Sequence, residues 1–109
     1  MAAHYFDTWT EEEINRYKEV FGDNLEQEDQ EVLVLNQPDA FEEVIRFLKK
    51  DGEVYVETEE DEQFLEKREE EGAIYMYDRI WWYKVDMDAI LRDYADGVEI
   101  ETNEYRITE

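Results

Sequence analysis

The sequence predicts an α+β fold, a single compact domain over residues 1–109 with about four helices around a mixed or antiparallel sheet of about five to six strands. Three observations carry this prediction. Aromatic residues make up 15% of the chain and there is one Pro, the composition of a chain that folds, even though the mean hydropathy is -0.87. The apolar residues fall in blocks of helical or strand period. The four glycines, Gly22, Gly52, Gly72 and Gly97, each follow a helix-like segment and precede a strand-like one, directly or after a short loop, so that each helix is expected to end at a Gly in the left-handed conformation.

The first helix begins at Thr10, whose hydroxyl can cap while Glu13 reaches back as the other half of a capping box. Ile14, Tyr17 and Phe21 then share one face. A polar loop runs through Gln30, and Val32-Leu33-Val34-Leu35 is an apolar run of strand length, expected to be buried on both faces. Asn36-Gln37-Pro38-Asp39 opens a second predicted helix, with Phe41, Val44, Ile45 and Leu48 as its inner stripe and Lys49 and Lys50 at its carbonyl end.

Glu53-Val54-Tyr55-Val56-Glu57 alternates as a half-exposed strand does, with Val54 and Val56 on one side and Glu53, Tyr55 and Glu57 on the other. Glu59 to Glu71 reads as a mostly solvated helix anchored by Phe64 and Leu65. Ala73 to Val85 is rich in aromatic and β-branched residues and forms either two strands turning near Asp78-Arg79 or one long bent strand. Asp86 caps a short helix with Met87, Ile90, Leu91 and Tyr94 inward. Val98–Glu101 and Tyr105–Thr108 read as a closing hairpin.

Charge then bounds the function. The chain has 33 Asp and Glu against 11 Lys and Arg, a net charge of -22. A compact protein of this size exposes roughly 6,400 Å², or about 290 Å² per unit of net charge, so self-repulsion opposes folding. Such a surface repels nucleic-acid backbones and anionic lipid headgroups, which argues against direct nucleic-acid or membrane binding. A basic protein surface, a polycation or a metal ion remains.

There is no Cys, hence no disulfide framework and no thiolate metal site. The first residues, Met1 to Asp7, lack the basic start and apolar run of a signal peptide, and the longest apolar stretch, Ile80 to Tyr83, is too short to span a bilayer, so a cytoplasmic protein is expected.

What is missing argues against an enzyme. The chain holds no Ser and no Cys nucleophile, and its lone His4 lies near the terminus. No two glycines are closer than 20 residues, which removes the phosphate-loop and dinucleotide fingerprints. Carboxylate pairs can serve glycoside cleavage or Mg²⁺ chemistry, but 33 acids make some close pair inevitable and the signal is unspecific. Neither Asp23–Glu31 nor Asp86–Gly97 completes a calcium loop. The expectation is a non-enzymatic protein with no cofactor and no dedicated metal site.

The remaining feature is the arrangement of acids. Dense stretches lie at Glu26–Asp29, at Glu57-Thr58-Glu59-Glu60-Asp61-Glu62, at Glu69-Glu70-Glu71, and at Glu99 and Glu101 with Glu104 beyond. On a strand, Glu53 with Glu57 and Glu99 with Glu101 project from one face, and alternate residues there repeat at ~6.8 Å, a rigid row of negative charge comparable to a phosphate backbone. In Ile80-Trp81-Trp82-Tyr83-Lys84-Val85, alternation sends Trp82 to the face opposite Trp81, where a helix covers it or it stays exposed as an interface anchor amid acids. The candidate partner-binding residues are therefore Glu53, Glu57, Glu59, Glu60, Asp61, Glu62, Glu69, Glu70, Glu99, Glu101 and Trp82.

In charge, size and missing catalytic groups, the chain resembles the small acidic inhibitors with which phages and mobile elements block restriction or CRISPR nucleases by imitating nucleic acid. The resemblance implies a partner of basic, nucleic-acid-binding character, such as a nuclease or CRISPR effector, and assigns no residues. Two alternatives stand beside it. One is the salt-adapted cytosolic protein of a halophile, disfavoured because Glu outnumbers Asp 22 to 11, Ala occurs six times and Lys is nearly as common as Arg. The other is an acidic adaptor or chaperone for a basic partner.

Overall fold

The computed structural model of the chain describes residues 7–37, 43–59, 73–77 and 80–107. Helix α1 (Glu11–Phe21) leads through a single 3₁₀ turn (Gly22–Asn24) into β1 (Leu25–Gln27), followed by β2 (Val32–Asn36), β3 (Val44–Lys50), β4 (Glu53–Glu59), β5 (Ala73–Tyr77), β6 (Ile80–Val85), α2 (Met87–Ala95) and α3 (Thr102–Tyr105). The six strands form one sheet in the order β1-β2-β3-β4-β6-β5, and every pairing among them is antiparallel. The α+β class is therefore as predicted.

Helix α1 starts as its sequence dictates. Thr10 Oγ1 accepts a hydrogen bond from Glu13 N at 3.2 Å, and Thr10 N donates to Glu13 Oε1 at 3.2 Å. Glu13 also accepts from Lys49 Nζ on β3 at 2.9 Å, so the cap clamps the helix to the sheet. Thr10→Ala is expected to lower stability by about 1 kcal/mol, measured as a shift of the urea midpoint with unchanged slope. An unshifted midpoint would show that the box contributes nothing.

Three elements depart from expectation. The predicted second helix over Pro38–Lys50 is overturned in its second half, because residues 44–50 form β3, paired with β2 on one side and β4 on the other. Strand alternation buries Ile45 and Phe47 in the main core and turns Arg46 and Leu48 to the other face, which a helical stripe of Val44, Ile45 and Leu48 would not do. Gly52 accordingly ends a strand and not a helix. Asp51 (φ 52°) and Gly52 (φ 79°) are the two central residues of a tight turn that opposes Lys50 to Glu53, the Asp-Gly hairpin chemistry.

In the expected loop before Gln30, β1 pairs Leu25 with Leu35 and buries Leu25. The closing hairpin is replaced by an extended segment and helix α3, and among the described residues of the predicted hairpin Arg106 alone forms a bridge, to Val85. The predicted helix over Glu59–Glu71 and Gly72 lie outside the described residues, apart from Glu59 at the end of β4.

Helix α2 is capped by Asp86, whose side chain accepts from Ala89 N at 3.1 Å. It closes at Gly97 (φ 83°), with Val98 N donating to Asp93 O at 2.8 Å and Gly97 N to Tyr94 O at 3.0 Å, a Schellman pattern. Helices α1 and α2 lie side by side and run the same way, since Arg16, midway along α1, meets Asp88 at the start of α2 while Phe21 at the end of α1 stacks edge-on against Tyr94 near the end of α2, ring centroids 4.9 Å apart. They cover one sheet face, burying Leu33, Leu35, Phe47, Val56, Trp81 and Tyr83. The opposite face buries a smaller cluster of Leu48, Tyr55 and Trp82, with Val32 and Ile80 against it. Strand β6 is thus apolar on both sides, and it divides Trp81 and Tyr83 from Trp82 as the alternation predicts.

Candidate partner-binding surface

The acids of β4 sit where alternation places them, but they are not free. Lys84 Nζ on β6 donates to Glu53 Oε1 at 2.7 Å, and Tyr55 Oη donates to Glu53 Oε2 at 2.9 Å. The hydrogen bond from Lys84, then that from Tyr55, holds the Glu53 carboxyl below its ordinary range. One residue beyond the Phe47–Val56 pair, Arg46 on β3 reaches Glu57 through Nε at 3.2 Å and also bonds Glu28 in the loop after β1. The row read as bare negative charge is instead a charge-compensated strip in which Glu28, Arg46 and Glu57 alternate in sign across three neighbouring segments.

Glu99 and Glu101 are not on a strand, yet they keep the alternation. Both are exposed, and Ile100 between them is buried at 3%. The side chain of Gln37, just past β2, does the work of a neighbouring strand: its Nε2 donates to Ile100 O at 3.2 Å and its Oε1 accepts from Ile100 N at 3.3 Å. This two-point grip satisfies a buried backbone unit and sets the two carboxylates outward. Helix α3 then presents Glu104, also exposed.

Glu59 ends β4 opposite Ile80, and its side chain lies outside the described residues, as do Glu60, Asp61, Glu62, Glu69 and Glu70. Trp82 is the plain correction. It is 4% exposed and so is not a surface anchor; its place directly across from Glu57 packs it into the second cluster. Its buried Nε1 has no hydrogen-bond partner among the described residues, whereas Trp9 Nε1 donates to Glu31 O at 2.6 Å.

Sequence reasoning did not single out Glu11, Glu12 and Glu19 on α1, Asp23 in the turn after it, or Asp96 after α2, all exposed and without a cation partner among the described residues. Most of the described cations, by contrast, are engaged, Lys18 and Lys50 excepted. Arg16 pairs with Asp88 at 2.7 Å, Lys49 with Glu13, Lys84 with Glu53 and Arg46 with two acids, while the Arg106 guanidinium lies 3.4 Å from the centroid of the Tyr83 ring. Among the described residues, acids exposed without a cation partner thus stand on the helical side and in the segment that follows α2, and also beside the strands at Glu26, Glu43 and Asp51.

A cleft of about 400 Å³ opens beside the starts of both helices, lined among others by Glu13, Arg16, Glu53, Lys84, Asp86 and Asp88. Its charges are the same ion pairs, and Asp86 is spent capping α2. Among the described residues no three acids or His converge as a metal-binding group, and no helix is long and apolar enough to cross a membrane.

Burial, together with the hydrogen bond to Asp93 Oδ2 at 2.5 Å and the Asp93 charge, pushes the Tyr105 phenol up to about 12. A raised folded value means that this group's contribution to stability is complete below its unfolded value of 10.0 and is lost as pH rises through about 12. Tyr105→Phe is expected to flatten the fall of melting temperature between those limits. An unchanged slope would remove Tyr105 from the alkaline transition.

Comparison with protein-family models, with curated proteins and with solved structures finds no match for the chain.

Proposed function

We propose that this protein is a non-enzymatic inhibitor that occupies the basic groove of a nucleic-acid-binding protein in place of the nucleic acid, in the manner of phage anti-restriction or anti-CRISPR proteins acting in the cytoplasm of a host cell. The observation that supports this most is the asymmetry of charge partners. The described cations are largely consumed in ion pairs or against an aromatic ring, while Glu11, Glu12, Glu19, Glu99, Glu101 and Glu104 stand exposed with no cation partner among the described residues. A surface of that kind attracts a Lys/Arg groove over distance and gains from the counterions released on contact, as a phosphate backbone does.

The test is competition. The protein, added to a candidate nuclease or CRISPR effector holding labelled DNA or RNA, is expected to displace the nucleic acid, with an affinity that falls steeply between about 50 and 200 mM salt. Failure to displace either nucleic acid, or displacement indifferent to salt, would sink the reading. If the charge serves only salt adaptation, the protein instead gains most of its stability in molar KCl and displaces nothing.

A further inference from the structure

We infer that the tip of the β3–β4 hairpin, Asp51-Gly52, is a self-modification site at which Asp51 converts to isoaspartate through a cyclic imide. Both residues are exposed, and a side chain built on Gly52 would meet nothing, so the Gly52 nitrogen can be approached freely. In the first step that nitrogen attacks Cγ of the protonated Asp51 carboxyl. The N–Cγ bond forms, the Cγ–OH bond breaks, and the hydroxyl leaves as water with the amide proton. Water then opens the five-membered ring. Addition at Cγ returns aspartate, whereas addition at the main-chain carbonyl carbon breaks its bond to Gly52 N and leaves the chain running through Cβ and Cγ, one methylene longer.

The turn brings the backbone close to what this ring needs. Positive φ at both central residues, 52° at Asp51 and 79° at Gly52, makes it type I′. Types I′ and II′ share a first central φ of about +60° and differ by turning over the peptide between the two central residues, which changes ψ of Asp51 and φ of Gly52. In type II′ that ψ is about -120°, where the Gly52 nitrogen eclipses Asp51 Cβ, as closure of the imide requires. Asp51 already holds the shared φ, Gly52 takes either sign, and both turn types keep Lys50 opposite Glu53. The peptide is held by Gly52 N donating to Asp7 Oδ2 at 3.2 Å, while Asp7 N donates to Lys49 O at 3.0 Å and fixes Asp7 beside the turn. Turning the peptide over points its N–H away from Asp7, so this exposed bond is the brake on the reaction.

The fold supplies its own control. Asp96-Gly97 is a second exposed Asp-Gly pair, but Asp96 has φ -83° and ψ 0°. Gly97 N and Val98 N donate to Tyr94 O and Asp93 O at 3.0 and 2.8 Å and close α2. Bringing Gly97 N onto Asp96 Cγ takes that helix end apart. The same dipeptide thus sits once on a turn that can flip and once on a cap that cannot.

The test holds the folded full chain for weeks at body temperature and mildly acid pH. Isoaspartate is located by electron-transfer fragmentation of its peptides and counted independently by methyl uptake from an isoaspartate-specific carboxyl methyltransferase. The yield at Asp51 is expected to exceed that at Asp96 by at least about tenfold, since the second site must break the bonds that close α2. Asp7→Ala, shown by circular dichroism to be folded, is expected to raise the yield at Asp51 about threefold and leave that at Asp96 unchanged. Asp51→Asn suits the same turn, reaches the same imide by losing ammonia, and is expected to react faster still.

No isoaspartate at Asp51, or equal yields at the two sites, as global unfolding would give, overturns the site. So does an Asp51→Asn chain that stays intact over the same period. A yield at Asp51 that Asp7→Ala leaves unchanged or lowers overturns the peptide flip as the route. Displacement of nucleic acid from a candidate nuclease bears on none of these outcomes.

Discussion

Trp81→Ala is expected to cost about 3–5 kcal/mol, enough to leave much of the protein unfolded at ordinary temperature if its total stability is in the usual range for a domain. Trp81 has no exposed surface, lies on β6 opposite Thr58 of β4 and Tyr75 of β5, and belongs to the core that both long helices cover. Truncation removes a large buried ring and leaves a cavity that neighbours held by strand ladders on both sides cannot collapse into. The measurement is a urea titration followed by circular dichroism. A loss below about 1.5 kcal/mol would mean that the site relaxes and that the seam between β4 and β6 is less rigid than its pairing indicates. Trp81→Phe, which keeps a ring, is expected to fall well short of the Ala cost.

The second large effect is on binding. Glu99→Gln with Glu101→Gln is expected to weaken displacement of nucleic acid roughly tenfold and to flatten its salt dependence, since each exposed contact is worth up to about 1 kcal/mol. Folding is spared, because Gln37 holds the backbone of Ile100 and not either carboxylate. Glu53→Gln with Glu57→Gln is expected to behave in the opposite way, leaving displacement nearly unchanged while destabilising the fold through loss of the Lys84, Tyr55 and Arg46 contacts. Should the sheet pair govern displacement and the loop pair not, the binding surface lies on the strands and the assignment made from exposure is wrong.

The contrast between those two pairs shows what was legible in the sequence. Capping signals are local, so Thr10 with Glu13 and Asp86 with Ala89 were readable, and the alternation through β4 and β6 assigned faces correctly. The run from Val44 to Lys50 was not readable by period alone, because Val44, Ile45 and Leu48 suit a helix stripe while Ile45 and Phe47 suit a strand. The arbiter was Asp51-Gly52, a hairpin signal that reads equally well as a helix stop when the preceding segment is taken for a helix. That single choice also hid the ion pairing at the candidate surface. With Val44–Lys50 taken as a helix, nothing places Arg46 beside Glu57, and the acids of β4 look unopposed. Glu99 and Glu101 face outward as expected but for another reason, since their setting comes from a Gln side chain and not from a ladder.

The strand order also has a consequence for how the chain reaches this fold. Strands β1 to β4 are a meander of neighbours in sequence, and β5 with β6 is a hairpin, so each unit forms from local contacts. Among the described residues their strands pair along β4 and β6, where six residue pairs from Val54–Val85 to Glu59–Ile80 join segments more than 20 residues apart. Closing that seam is the slow, non-local event, and Trp81 and Tyr83 lie within it. Substitutions there should slow refolding, while changes at the start of α1 chiefly speed unfolding.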